Sequence, residues 1–156
     1  MAQLPYKNYN QTKIQTSDQL SLIILLYDGL SRFLRKGQRK IAEKDYEGAH
    51  HYLTRSRDIV NELLVTLRVE EGNKVAQNLR SLYVFMIGQI IEANLKKDAA
   101  MVDEVLKVAQ NLRDGWTQLK DQQAQLRQQK HQTSANDEIV RPVSYTHLRA
   151  HETELH

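Results

Sequence analysis

Glu47-Gly48-Ala49-His50 sets a carboxylate and an imidazole three residues apart. On a helix this spacing puts both on one face, one turn apart, as in four-helix di-metal proteins where the pair reaches a metal inside the bundle. A metal pair needs a second such motif and inward glutamates on the other helices, and the apolar faces of this chain carry none. Glu47 also projects away from the core stripe of its own helix. A solvent-facing acid beside a histidine at the stripe's edge accounts for the motif, so no metal site and no cofactor are expected. Four of the six histidines lie at or beyond His131, in a polar tail. The absence of cysteine removes disulfides and thiolate metal sites. No glycine-rich phosphate loop, nucleophile elbow or His-Glu-x-x-His string occurs, so the chain reads as non-enzymatic. Arg32, Arg35, Lys36, Arg39 and Lys40 form a basic cluster that could contact phosphate. Most of these positions fall opposite the Leu and Ile stripe, where a solvated helix face explains them, and nucleic acid is not an expected partner.

The elements that carry these residues are helices. The chain has 156 residues, two prolines and six glycines, and is rich in Leu, Gln, Lys, Arg, Glu and Ala, a balance that favours helix over sheet. One domain with a real core fits this length. The longest uninterrupted apolar stretch, Leu22 to Tyr27, falls far short of the roughly 20 residues that span a bilayer, and the start has no apolar run of signal-peptide length. A soluble chain without membrane insertion is expected, suited to a reducing cytoplasm.

Punctuation brackets four helices. The first runs from about Asp18 to Glu43, with Thr16 or Ser17 as N-cap. The second follows Asp45 as cap and runs to about Arg68, and Gly72 supplies the left-handed conformation that ends helices. The third covers about Asn73 to Leu95, and the fourth starts at Asp98 and continues past Trp116. Connections this short make sequential helices antiparallel neighbours, so the expected fold is an all-α, up-down-up-down four-helix bundle over 18–119. A short N-terminal segment, 1–17, precedes it. A Gln-rich tail from residue 120 follows, too polar to offset the entropy of ordering and therefore expected to fray and lose structure. Its end, about 142–156, resembles translated sequencing-adapter sequence and reads as non-native.

The stripes of these helices differ in width. On the second and fourth helices the apolar positions cover arcs of about 140° and about 160°, as ordinary core faces do. The first helix, from Leu20 to Ile41, and the third, from Val75 to Ile91, each sweep about 200°, more than packing on one core requires. The surplus must be covered by a tightly wrapped neighbour or by a partner chain.

Five strings, in order, point to a family. LLYDGLSRFL (Leu25 to Leu34), Ala49 and Leu53 with RDIVNELL (Arg57 to Leu64), EEGNKVAQNLRSLYVFMI (Glu70 to Ile87), EANLKKD (Glu92 to Asp98) and VLKVAQNLRDGW (Val105 to Trp116) resemble the flagellar secretion chaperone FliS family, collinearly over roughly residues 6 to 119. The resemblance implies a cytoplasmic export chaperone that binds the C-terminal segment of flagellin, disordered when free, and keeps it from polymerising before flagellar type III secretion. The flagellar export gate and other flagellar assembly regulators are further partners it allows. By resemblance, Tyr27, Asp28, Asn78, Leu82, Tyr83, Met86 and Asn94 form the surface or its support for flagellin, although plain core explains Tyr27, Leu82 and Met86 equally well. Tyr6 and Tyr9, with Leu4 and Ile14, suit a displaceable N-terminal cap over that surface. The chain departs from the family in LYVFM, where many relatives have LYDYM, so that Val84 replaces a polar residue and enlarges the apolar surface. Two other readings remain open at this point: a structural helical bundle that pairs its surplus stripes with copies of itself, and a bundle metal-binding protein built around His50.

Overall fold

The computed structural model describes residues 17–67 and 72–155, with side chains for 18–67 and 72–136. Four helices follow one another: α1 (Ser17–Ala42), α2 (Tyr46–Thr66), α3 (Lys74–Lys96) and α4 (Ala99–Leu155). The chain divides into two compact units, 1–118 and 119–156, and the bundle belongs to the first.

Caps set the helix starts. Asp45 accepts the Gly48 N–H at 2.9 Å and Asn73 accepts that of Ala76 at 3.1 Å, each satisfying a donor that the first turn leaves without a partner. Asp98 does the same for Ala100 and Met101 at 2.9 and 3.3 Å. Two of the three turns reverse through non-glycine residues at positive φ, Lys44 at 61° and Lys97 at 50°, and only the α2–α3 turn uses a glycine, Gly72 at 84°. The left-handed residue lets the following N–H reach back into the finished helix: Asp45 N–H donates to Lys40 O and Asp98 N–H to Ala93 O.

Cross-helix contacts fix an up-down-up-down order. Phe33 of α1 stacks on Tyr52 of α2 with centroids 6.1 Å apart, His50 of α2 meets Asn94 of α3, and Gln89 of α3 donates to Glu104 of α4. Gln38 and Asp28 of α1 bond Asp103 and Arg113 of α4, so the pairing descends along one helix as it climbs the other. At Gly37 the first two helices approach so closely that a Cβ would stand 2.8 Å from Cδ2 of buried Leu53. All four helices feed one core, with Tyr27, Leu30 and Leu34 meeting Leu53 and Val60, Met86 and Ile90, and Val102, Val105 and Ala109. The only hydroxyl on the fully buried part of α2, that of Ser56, donates to Tyr52 O at 2.9 Å and so enters the core satisfied.

In the second unit the backbone is helical from 119 to 155, where the sequence reading expects fraying and loss of structure. Its side chains from 124 to 136 are all exposed. Scarcity of apolar residues argues against burial, whereas Gln, Lys, Arg and Ala are good helix formers that need no core to favour the helical backbone. Thr16 and the N-terminal cap residues Tyr6 and Tyr9 lie outside the described residues.

Candidate functional site

Three of the strings singled out in the sequence converge in the core. Tyr27 of α1 and Tyr83 of α3 are 0% and 2% exposed, and their hydroxyls hydrogen-bond to each other at 2.5 Å. Trp116 Nε1–H of α4 donates to Tyr27 Oη at 3.3 Å. One knot of polar atoms thus ties three helices together inside apolar surroundings, where leaving any of these groups unpaired would be costly. Burial, then the neighbouring Tyr83, pushes the Tyr27 phenol far above its ordinary value, and burial raises that of Tyr83. A phenol raised in the folded state keeps its proton while the unfolded chain ionises, so stability is full below the ordinary tyrosine pKa of about 10 and falls as pH rises above it. Urea unfolding followed from neutral pH to pH 11 or so is therefore expected to show a midpoint that declines from about pH 10 upward, and the decline should shrink in Tyr27→Phe.

The residues assigned by resemblance do not share one surface. Tyr27, Tyr83 and Met86 are buried in the core, so they support a surface rather than form one. For the two tyrosines the reason is that each hydroxyl finds its partner internally and the ring can go inside. Asp28 is half-exposed and accepts a hydrogen bond from Arg113 Nε across to α4. Exposed Asn78 and half-buried Leu82 share, by helical spacing, the sector of α3 from which Gln89 reaches Glu104 of α4. Asn94 faces the other way, toward α2. Its Nδ2 lies 2.9 Å from His50 Nδ1, and Lys97 Nζ donates to its Oδ1 at 2.5 Å.

Beside Asn94 runs a groove of about 200 Å³ between α2 and α3. Leu53 and Ile90 form its floor, His50, Thr54 and Arg57 its α2 wall, and Ile91, Asn94 and Leu95 its α3 wall. The surface lining the groove is almost wholly apolar, on the α2 side as well. On the α3 side Ile91 and Leu95 flank Asn94 and stand open, 41% and 76% exposed. Val84, 51% exposed, continues the same stripe, because positions 84, 88, 91 and 95 fall on one side of a helix and Gly88 between them leaves a gap with no side chain. Such an arrangement can hold an amphipathic segment, whose apolar side covers the lining of the groove while its polar side stays in solvent. Val84 and Ile91 were legible in the wide arc of the third helix; the arc alone did not separate them from core, although Val84 also stood out as apolar where many relatives carry a polar residue. The discriminating signal is angular: they lie at the arc's edge farthest from Tyr83, Met86 and Ile90.

The metal reading fares differently. Glu47 is exposed and His50 is engaged by Asn94. Among the described residues no group of three or more His, Cys, Asp or Glu side chains could hold a metal ion, and no helix is long and apolar enough to cross a membrane.

A four-helix bundle with a partly open apolar groove offers a surface suited to binding. The family model for flagellar protein FliS matches residues 1–124, and the chain belongs to the FliS family. It is 29% identical over 116 residues to the flagellar secretion chaperone FliS of Bacillus subtilis, covering 74% of this chain and 86% of that one. The same named protein of Campylobacter jejuni is 31% identical over 116 residues, with 74% and 91% covered, and that of Escherichia coli 28% over 107 residues, with 68% and 79% covered. A crystal structure of a bacterial flagellar chaperone superposes with a TM-score of 0.64 at 20% identity, covering 78% of this chain and 99% of that one, which shows the shared fold. Members of this family are chaperones and not enzymes.

Proposed function

We propose that this chain binds the C-terminal segment of flagellin in the cytoplasm and keeps it from polymerising before flagellar type III secretion. The observation that carries the reading is the exposed apolar stripe of α3, Val84, Ile91 and Leu95, bordering an apolar groove between α2 and α3. A free segment that orders on binding must recover its entropy by burying a long contact surface, and a stripe left open along a helix supplies one. The relatives' names as flagellar secretion chaperones support the same reading.

Asn94 belongs to this groove. Asp28, Asn78 and Leu82 extend the contact on the α4 side of the bundle, with Tyr27, Tyr83 and Met86 as buried support beneath. Tyr6 and Tyr9 act as a cap that flagellin displaces, and the export gate and flagellar assembly regulators meet the chain as further partners.

Calorimetric titration with a synthetic flagellin C-terminal segment tests the reading. It should give a one-to-one complex with a negative heat-capacity change, the mark of apolar burial. No binding heat, together with concentration-dependent self-association in sedimentation, would instead assign the open stripe to a second copy of the chain.

A further inference from the structure

The outer face where α1 meets α2 carries a second, chemically different surface. Phe33 and Tyr52 stack at 6.1 Å with an interplanar angle of 24°, and His51 packs edge-on to Tyr52 at 5.1 Å. Three cations gather on this pair. The Arg32 and Arg55 guanidinium carbons lie 5.5 Å from the Phe33 centroid, and Lys36 Nζ lies 6.0 Å from Phe33 and 5.5 Å from Tyr52. Among the described residues none of the three has a carboxylate within ion-pair distance, although Lys40, one turn beyond, is held by both Glu43 and Asp45. Like charges brought together without counter-ions repel one another, and the ring faces only partly offset this. An anionic partner would relieve the repulsion.

The patch is short and bounded. Arg35 and Arg39 extend it along α1, so from Arg32 to Arg39 it runs about 10 Å at 1.5 Å per residue. Asp28 lies beyond one end and Glu43 and Asp45 beyond the other, while Asp58 and Glu62 follow Arg55 along α2. A long polyphosphate laid across this face would meet carboxylates on every side. The two rings stack on each other and three cations gather over them, so a base would have to displace these contacts to stack.

We infer that Arg32, Phe33, Lys36, Tyr52 and Arg55 form a docking site for a short acidic segment of a partner protein. Its carboxylates meet the three cations, and an apolar or aromatic side chain between them covers the ring edges. This goes beyond flagellin binding, because Tyr52 and Arg55 lie on the side of α2 away from Thr54 and Arg57 in the groove, so both sites can be filled at once.

The probe is a short fluorescein-labelled peptide of glutamate and phenylalanine, read by anisotropy at two salt concentrations. Its glutamine counterpart and an oligodeoxythymidine of equal charge serve as comparators. Binding of the glutamate peptide should weaken with salt. It should fall about tenfold in Arg32→Ala/Lys36→Ala/Arg55→Ala, as expected for three exposed charge pairs. Arg32→Lys/Arg55→Lys, which keeps the charges, should retain most of it, and the alanine variant should keep its helical circular dichroism and its affinity for the flagellin segment. Equal binding of the glutamine peptide, tighter binding of the oligonucleotide, or an unchanged affinity in the alanine variant would overturn the proposal. So would loss of flagellin binding in a folded alanine variant, which would make the two surfaces one.

Discussion

Replacing Tyr83 with alanine is expected to cost about 3–5 kcal/mol of folding stability, as truncation of a large buried aromatic does. The ring is 2% exposed and its hydroxyl is paired with that of Tyr27, so the change opens a cavity in the core and removes a partner from a buried polar group. Tyr83→Phe separates the two effects. It keeps the packing but leaves the buried Tyr27 hydroxyl without its Tyr83 partner, at about 1–3 kcal/mol. Urea unfolding of both variants measures these losses. The fraction of Tyr83→Ala that remains folded should bind the flagellin segment at nearly wild-type affinity. A variant that is barely destabilised yet loses that affinity would put the ring in the binding surface and contradict its burial.

The opposite pattern is expected in the groove. Ile91→Ser/Leu95→Ser alters side chains 41% and 76% exposed, so stability should fall by less than about 1 kcal/mol, mostly through helix propensity. If both side chains anchor a bound segment, affinity should fall by at least about 2 kcal/mol, roughly thirtyfold in Kd. Calorimetric titration beside urea unfolding reads both quantities. A variant that binds as tightly as wild type would remove the α3 wall from the site.

Much of the architecture was legible because each helix start carries a side chain able to cap it. Asp45, Asn73 and Asp98 mark three starts in the sequence and cap them in the structure. The helical tail was not legible from burial arguments, since polar residues that build no core still favour helix. The site was legible as an excess and not as a location. Arcs of about 200° on the first and third helices signalled surface beyond one core's needs, and of their members Leu22, Val75, Val84 and Ile91 are exposed. A sequence arc cannot say which edge is open, because that depends on where neighbouring helices lie. Tyr83 and Ile91 both read as stripe, yet one points at Tyr27 and the other at the groove. Leu95 escaped the arc altogether. It sits in the last turn of α3, beside Asn94, which the resemblance did single out.

The central claim is that flagellin's C-terminal segment lies in the groove between α2 and α3. Backbone amide chemical shifts of the full chain, followed by NMR as a synthetic segment is added, test it most directly. The largest changes should fall on residues 50–57 and 84–95, with Leu53, Ile91, Asn94 and Leu95 prominent. Saturable binding whose shift changes leave those two stretches untouched would contradict the assignment.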